Sequence, residues 1–175
     1  ETVQNNRLMR HLGKTLRSRI LRELRHMANK DSDKYAKFWQ AYGRVFKEGL
    51  ALDPEAKEDL LPFLRFHSST SNSSLTSLDA YVDALPEAQE NIYYVMGDSL
   101  TSVAHSPHLD PFRARNLEVL YWVDPLDAFL APVLTEYRGK KLKNIDDAGL
   151  ELPELPAAEA EETDTPELAE ADFNR

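Results

Sequence analysis

The chain has 175 residues, with 21 Lys and Arg against 30 Asp and Glu, a formal net charge of −9, and 42% hydrophobic residues. This length favours one domain of ordinary size or two small ones, and the composition is ordinary for a globular protein. The absence of cysteine excludes disulfides, thiol catalysis and cysteine-ligated zinc, and no apolar run reaches the ~20 residues that a membrane span needs.

The charge is distributed unevenly along the chain. Basic residues outnumber acidic ones 12 to 5 in residues 1–50, whereas residues 151–175 hold 9 acidic residues and 1 basic residue. Residue 1 is Glu and no charged-then-apolar leader follows it, so we expect an excised piece of a longer chain with no signal peptide at this end. The basic N-terminal segment and the acidic C-terminal tail need separate explanations.

The first third of the chain has helical periodicity. One long amphipathic helix is predicted over residues 3–28, because apolar residues recur every three or four positions, at Leu8, Leu12, Leu16, Ile20, Leu24 and Met27. A second helix with an aromatic stripe is predicted over residues 34–47 and ends at Gly49. A short third helix opens at Pro54 and continues to Leu64. Residues 67–74 are a Ser-rich segment, predicted to be a loop too polar to pack.

The remainder of the chain alternates between strand and helix patterns. Strands are predicted over residues 91–96, 117–123 and 141–145. Helices are predicted over residues 75–82, 99–105, 108–115 and 126–137, the last with Pro132 as a kink or early break. Strands alternating with helices predict an α/β fold with a short, mainly parallel sheet. Residues from 152 onward are rich in Ala, Glu and Pro, as in a linker or a solvated helix.

Three groups of residues could carry chemistry. His105 and His108 could bind a metal, but the intervening Pro107 breaks the helix face that would aim both at one ion, so we predict no metal site. Asp98 and Asp124 end successive strands and could hold Mg²⁺ or cap the next helices, and capping is favoured. The arginine-rich first helix could bind nucleic acid, although no aromatic residues are interleaved with its basic face. Trp39 and Trp122 are core candidates first and binding residues second.

Several segments, in this order, resemble the ninety-kilodalton heat-shock chaperones, and among them the bacterial HtpG type. The resemblance covers about residues 1–151. It rests on Glu1–Arg7, Lys34–Gly43 with Lys47-Glu48-Gly49, Leu64-Arg65-Phe66, Ser77–Tyr81, Asn91–Tyr94, Ser106–Leu109, Leu117–Leu120 with Asp124–Asp127, and Glu136–Leu142.

The resemblance implies a place within that family. Residues 1–74 would be the helical connector of the middle domain, with three helices, and residues 75–151 would be its small α/β/α subdomain. Residues 152–175 would be an acidic tail that leads toward a C-terminal dimerisation domain. The full-length protein would use ATP and Mg, and the fragment would bind neither, because the ATP-binding domain lies outside it. The implied partners are client proteins, co-chaperones and a second copy, in the cytoplasm, with no membrane and no nucleic acid.

The resemblance also implies two functional residues. Gln4 matches a glutamine that meets the γ-phosphate of ATP together with an arginine, which would lie before residue 1. An amide there would donate to a phosphate oxygen. Phe129 matches an aromatic position that contacts clients in bacterial members, and its alternative role is to pack on the sheet. A chaperone segment is thus the leading hypothesis. A nucleic-acid-binding α/β module and a small-ligand enzyme domain that uses Asp98 and Asp124 are the alternatives.

Overall fold

A computed structural model describes the backbone of residues 2–71, 74–86 and 88–153 and, within these ranges, every side chain except those of residues 2–8, 10 and 54. Two long helices begin the chain, α1 over Thr2–Lys30 and α2 over Ser32–Leu52. Asp31 separates them, because its carboxylate accepts a hydrogen bond of 3.0 Å from the backbone N–H of Lys34 and so caps α2. Both predicted helices are confirmed, although α2 continues past Gly49, where we expected it to end.

The predicted third helix is instead three short turns. A 3-10 turn at Pro54–Ala56, helix α3 at Lys57–Leu60 and a second 3-10 turn at Leu61–Phe63 follow one another. Pro62 has no N–H to donate to a carbonyl four residues earlier, so a continuous α-helix cannot run through it. The segment nevertheless contributes to the core, since Leu61, Phe63 and Leu64 are buried.

Residues 67–144 supply five strands and four α-helices to the described structure. In chain order these are β1 His67–Ser68, α4 Leu78–Asp83, β2 Asn91–Met96, α5 Leu100–Ala104, α6 Asp110–Arg113, β3 Val119–Trp122, α7 Asp127–Leu130, β4 Glu136–Tyr137 and β5 Lys140–Asn144. The hydroxyls of Ser77 and Ser99 cap α4 and α5 by accepting backbone N–H bonds. The three predicted strands are confirmed as β2, β3 and β5.

The strands form one sheet with the order β1-β3-β2-β5-β4. The three central strands are parallel, and Tyr94 of β2 is paired with Leu120 of β3 on one side and Asn144 of β5 on the other. Each parallel pairing joins four residue pairs, whereas the antiparallel edge strands β1 and β4 each contribute two. The prediction of an α/β fold with a short, mainly parallel sheet is confirmed.

Both faces of the sheet are covered. Successive side chains of a strand point to opposite faces, and in β2 Ile92 belongs to a core shared with α1, α2, α4 and α7, whereas Tyr93 belongs to a core shared with α5 and α6. Trp122 stacks between Phe66 and Tyr94 in the first core, with ring centroids 5.8 and 4.0 Å away. Trp39 is buried in the same core, so both tryptophans are core residues.

The predicted helix over residues 126–137 was wrong in its extent. Helix α7 ends at Leu130, and β4 occupies Glu136–Tyr137. Pro132 cannot donate a helical hydrogen bond and its ring clashes with the preceding turn, so the early break was the correct alternative. The chain then turns, and the Leu134 N–H donates to the Leu130 carbonyl at 2.7 Å.

The prediction that residues 67–74 are too polar to pack was also wrong, for their first two residues. His67 and Ser68 form β1 at the edge of the sheet, antiparallel to β3. Ser68 can be buried because its hydroxyl donates to the Glu118 carboxylate and accepts the backbone N–H of Ser71, which satisfies its side-chain oxygen. The division of the chain at residues 74 and 75 stays a prediction.

Candidate functional site

Phe129 lies on the outward side of α7. Its side chain is 61% exposed, whereas the next residue, Leu130, is completely buried in the core. The alternative that Phe129 packs on the sheet is therefore wrong, and the ring faces solvent. A client contact at Phe129 stays a prediction at this point.

Helix α7 begins in a closed set of hydrogen bonds that follows β3. The Asp124 carboxylate accepts from the N–H of Leu126 at 2.9 Å, and the Asp127 carboxylate accepts from the N–H of Asp124 at 3.0 Å. The N–H of Asp127 donates back to the Asp124 carbonyl at 2.8 Å. The two acidic side chains thus fix the backbone at Asp124 and Leu126, and the direction in which α7 leaves the sheet is defined.

A lysine from the helical part of the chain completes this arrangement. Lys47 of α2 has a side chain that is 7% exposed, and its Nζ lies 2.6 Å from Asp127 Oδ1 and 3.3 Å from Asp124 Oδ2. The ammonium also lies 5.8 Å from the centre of the Phe66 ring. We call Lys47, Asp124 and Asp127 the buried ion triad, in which Lys47 and Asp127 are buried and Asp124 is partly exposed at the edge. It joins α2 to the first turn of α7.

The pKa values of Asp127, within the triad, and of His67, beside it, are both shifted. Burial raises the pKa of the Asp127 carboxyl, and the Lys47 ammonium only partly offsets this effect. Burial, followed by repulsion from Lys47, lowers the pKa of the His67 imidazole. Lys47 therefore serves as the counter-charge that keeps a buried carboxylate ionised, which is the condition for a stable buried ion pair.

Asp98 and Asp124 lie together at the carboxyl ends of β2 and β3. Both line one cleft of about 420 Å³, together with Gly97, Pro125 and Ala128. The small-ligand hypothesis required such a cleft. However, Asp124 is already bonded to Leu126 and Lys47, and among the described residues no group of three or more His, Asp or Glu side chains could hold a metal ion.

The preference for capping was wrong for Asp98, and α7 begins after Leu126 with no side-chain cap hydrogen bond, so Asp124 acts on the turn before the helix. The Asp124 carboxylate accepts the N–H of Leu126 just before α7. At the end of β2, the hydroxyl of Ser99 caps α5 in place of Asp98. The two histidines have separate partners: His105 Nδ1 lies 2.7 Å from the Thr101 carbonyl, and His108 Nδ1 lies 2.5 Å from Asp146 Oδ1.

The remaining candidates lie on α1. The side chain of Gln4 is outside the described part of the structure, so its contact with a phosphate stays a prediction. Lys14, Arg22 and Arg25 are exposed, and Arg17 lies 3.7 Å from Asp59. The apolar stripe of the same helix is exposed at Met9, Leu12, Leu16 and Ile20 and becomes buried only at Leu24.

Sequence reasoning did not single out Lys47 or Asp127. One signal was present, because the buried residues of α2 recur every three or four positions, at Tyr35, Trp39, Gly43, Lys47 and Leu50. A lysine in register with a tryptophan and a glycine on the buried face of a helix needs a carboxylate partner. The partner itself was not identifiable, since Asp127 lies 80 positions away along the chain.

Comparison with solved structures places this architecture among the heat-shock proteins. The fold is similar to the middle domain of a heat shock protein from Plasmodium falciparum, with a TM-score of 0.75 and 27% sequence identity. That match covers 82% of this chain and 60% of the other. Long helices followed by a small sheet covered on both faces are thus shared with a heat-shock protein middle domain.

Comparison of sequences establishes the family. The model of the family described as Hsp90 protein matches residues 1–173. The chaperone protein HtpG of Wolbachia sp. subsp. Brugia malayi is 39% identical over 99% of this chain and 28% of its own length. HtpG of Wolbachia pipientis is 41% identical over 94% of this chain and 26% of its own length. The chain belongs to the Hsp90 family, as the resemblance predicted, and it spans about a quarter of the length of these curated relatives.

Proposed function

We propose that this chain is part of an ATP-dependent molecular chaperone that binds and remodels client proteins, and that Phe129 is one of its client contacts. The observation that carries the proposal is an aromatic side chain, 61% exposed, on a helix that the buried ion triad anchors. It occurs in a chain of the Hsp90 family. The curated relatives have the name chaperone protein HtpG.

The geometry around Phe129 suits an unfolded partner. An aromatic ring offers a large apolar area with only two rotatable side-chain bonds, so little conformational entropy is lost when it binds. The first turn of α7 is already held by hydrogen bonds from Asp124 and Asp127, so the ring is presented by an ordered backbone. Binding then depends on exposed apolar area of the client more than on a defined sequence.

Replacing the ring tests this contact. Phe129→Ala in the full-length protein should weaken binding of fluorescein-labelled, reduced and carboxymethylated α-lactalbumin by about tenfold, measured by fluorescence anisotropy. Tyr42→Ala is the matched control, because Tyr42 is an aromatic residue that is 55% exposed on a different helix. Equal affinities of the Phe129→Ala variant and the unmodified protein would refute the contact.

The ATP-dependent step rests on Gln4. By resemblance, its amide donates to the γ-phosphate of ATP bound with Mg in a domain outside this chain, which helps the site to close. We expect Gln4→Ala to lower ATP turnover of the full-length protein roughly tenfold or more, whereas the 175-residue chain alone should show no turnover. Turnover by the isolated chain, or full activity of the variant, would contradict this assignment.

The proposal includes the assembly and location of the whole protein. The full-length protein would form a homodimer through a C-terminal domain, bind co-chaperones and work in the cytoplasm. No helix in the described residues has the length and apolar character to cross a membrane. If the arginine-rich face of α1 instead bound DNA or RNA, the complex would be tight at low salt and steeply weakened by added salt. We expect no such binding in a gel-shift titration at low salt.

A further inference from the structure

The buried ion triad does more than fill a core position. Lys47 comes from the helical part of the chain, whereas Asp124 and Asp127 come from the turn between β3 and α7. Among the described side chains, Lys47 is the one buried lysine and Asp127 the one buried aspartate. Two charges have therefore been removed from water at the contact between α2 and the helix that presents Phe129.

A buried ion pair adds little to the stability of the fold, but it can fix the position of α7 relative to α2. The desolvation of two charges cancels most of their attraction, so an apolar pair of similar size would hold α2 and α7 together equally well. An apolar contact tolerates sliding, because it has no preferred direction. The Lys47 ammonium lies 2.6 Å from one carboxylate oxygen of Asp127, and a charged contact this short is favourable over only a narrow range of distances. The other oxygen of Asp127 accepts the N–H of Asp124, so the carboxylate is fixed from both sides.

Helix α7 is so short that contacts outside the helix must hold it in position. It spans four residues, Asp127–Leu130, and an isolated helix of that length is not stable. Its attachment consists of Leu130 in the core, the bonds around Asp124 and the ion pair with Lys47. Phe129 lies two residues from Asp127, so a shift of the first turn moves the ring directly.

We propose that Lys47 is a positioning residue for client binding, which fixes the first turn of α7 and thereby the place at which Phe129 is presented. Lys47 does not touch the client itself, because its side chain is buried beneath α7. The inference rests on the proposed function of Phe129 and adds to it a residue of the helical connector, through which α2 sets the geometry of the client contact.

The test variant removes the charges and keeps the volume. In Lys47→Met with Asp127→Asn, the asparagine oxygen can still accept the N–H of Asp124. The carboxylate of Asp124 loses Lys47 but is 35% exposed and still accepts the N–H of Leu126. Lys37→Met is the matched control, since Lys37 is an exposed lysine on the same helix. Lys47→Met alone is a second variant, which leaves the buried Asp127 carboxyl without its counter-charge.

Two measurements on the full-length protein decide the matter. In the double variant, amide hydrogen exchange of residues 127–131 should become faster by about tenfold or more, while exchange in β3 stays unchanged. The affinity for labelled, carboxymethylated α-lactalbumin should fall roughly threefold or more. The control should change neither. A role confined to stability would alter exchange throughout the sheet or not at all.

The outcomes separate this inference from the proposed function. Unchanged exchange in α7 of the folded double variant overturns the role of Lys47. Faster exchange with unchanged client affinity also overturns it, because the ring would then need no positioning. If Phe129→Ala itself leaves affinity unchanged, the proposed client contact fails, and the exchange measurement still decides whether Lys47 fixes α7.

Discussion

Helices α1 and α2 have the same kind of apolar periodicity, yet they differ in what the structure does with it. The apolar stripe of α1 is exposed from Met9 to Ile20 and is buried only at Leu24, whereas α2 buries residues along its whole length, from Tyr35 to Leu50. The buried face of α2 also includes Lys47, whereas no lysine or arginine is buried among the described side chains of α1. Periodicity thus identifies a face of a helix, and only a contact in the tertiary structure shows whether that face is covered.

The largest expected effect is at the charge in the buried face of α2. Lys47→Met removes the counter-charge of Asp127, so the buried carboxyl must either stay charged without a partner or take up a proton, and the free energy of unfolding should fall by about 3–5 kcal/mol. Urea denaturation followed by circular dichroism measures the change. Lys37→Met, at an exposed position of α2, should change it by less than about 0.5 kcal/mol. Equal losses of stability in the two variants would contradict the assignment of Lys47 as a buried, paired charge.

The comparison can also be made within α1 itself. Leu24 is 8% exposed and Leu16 is 60% exposed on the same stripe. In this chain, Leu24→Ala should cost about 2–5 kcal/mol, because it leaves a cavity between α1 and the core. Leu16→Ala should cost less than about 0.5 kcal/mol. Thermal and urea denaturation of the two variants check this, and equal losses would mean that the stripe is covered along its whole length.

The burial of Tyr35 in α2 should affect how the free energy of unfolding depends on pH. Its hydroxyl donates to the Phe63 carbonyl at 2.8 Å, and burial raises the pKa of Tyr35 to about 12. Since the unfolded chain loses this proton at lower pH, the stabilising contribution is complete below pH of about 10 and is lost as the pH rises toward 12.

The loss attributable to Tyr35 over that window should be about 2 kcal/mol. Tyr35→Phe should reduce the decline in stability by this amount in urea titrations between neutral and alkaline pH. Its own stability at neutral pH, lowered by about 1 kcal/mol for the missing hydrogen bond, is the reference. An unchanged alkaline decline in the variant would show that the Tyr35 hydroxyl is not protected by the fold.

Two glycines should give effects of opposite sign. A Cβ added at Gly43 of α2 would lie 2.7 Å from two atoms of the Trp39 ring, whereas nothing lies within 4 Å of one added at Gly13 of α1. Gly13→Ala should stabilise the chain by about 0.5–1 kcal/mol through helix propensity. Gly43→Ala should destabilise it by about 1–3 kcal/mol through overpacking. Thermal denaturation measures both, and a gain at Gly43 would contradict the close contact with Trp39.

Much of the architecture followed from local patterns. The runs that became β2 and β3 are apolar and rich in β-branched and aromatic residues, because strands inside a parallel sheet are buried on both faces. The run that became β5 is Lys-Lys-Leu-Lys-Asn and is only partly buried. The edge strands β1 and β4 were missed, since each has only two residues and therefore no periodicity. The end of α7 was predictable from Pro132 alone, whereas the strand that follows it was not.

The candidate site was predictable in one part only. Phe129 came from the resemblance to a family, and its exposure was an open alternative until α7 was placed. Lys47 had a local signal, its register with Trp39 and Gly43, but its two carboxylate partners are known only from the fold. Asp98 and Asp124 were expected at the same edge of the sheet because parallel strands end together, and they do line one cleft.

The sequence by itself therefore determined the elements whose causes are local: the two long amphipathic helices, the break at Pro132 and the three central strands of the sheet. Their residues interact with neighbours a few positions away, so composition and spacing are sufficient. The tertiary structure alone decided which apolar stripe is covered, how Lys47 of α2 meets Asp127 of α7, and that Phe129 faces solvent. These features depend on contacts between distant segments, whose free energies are set by burial and desolvation once the chain has folded.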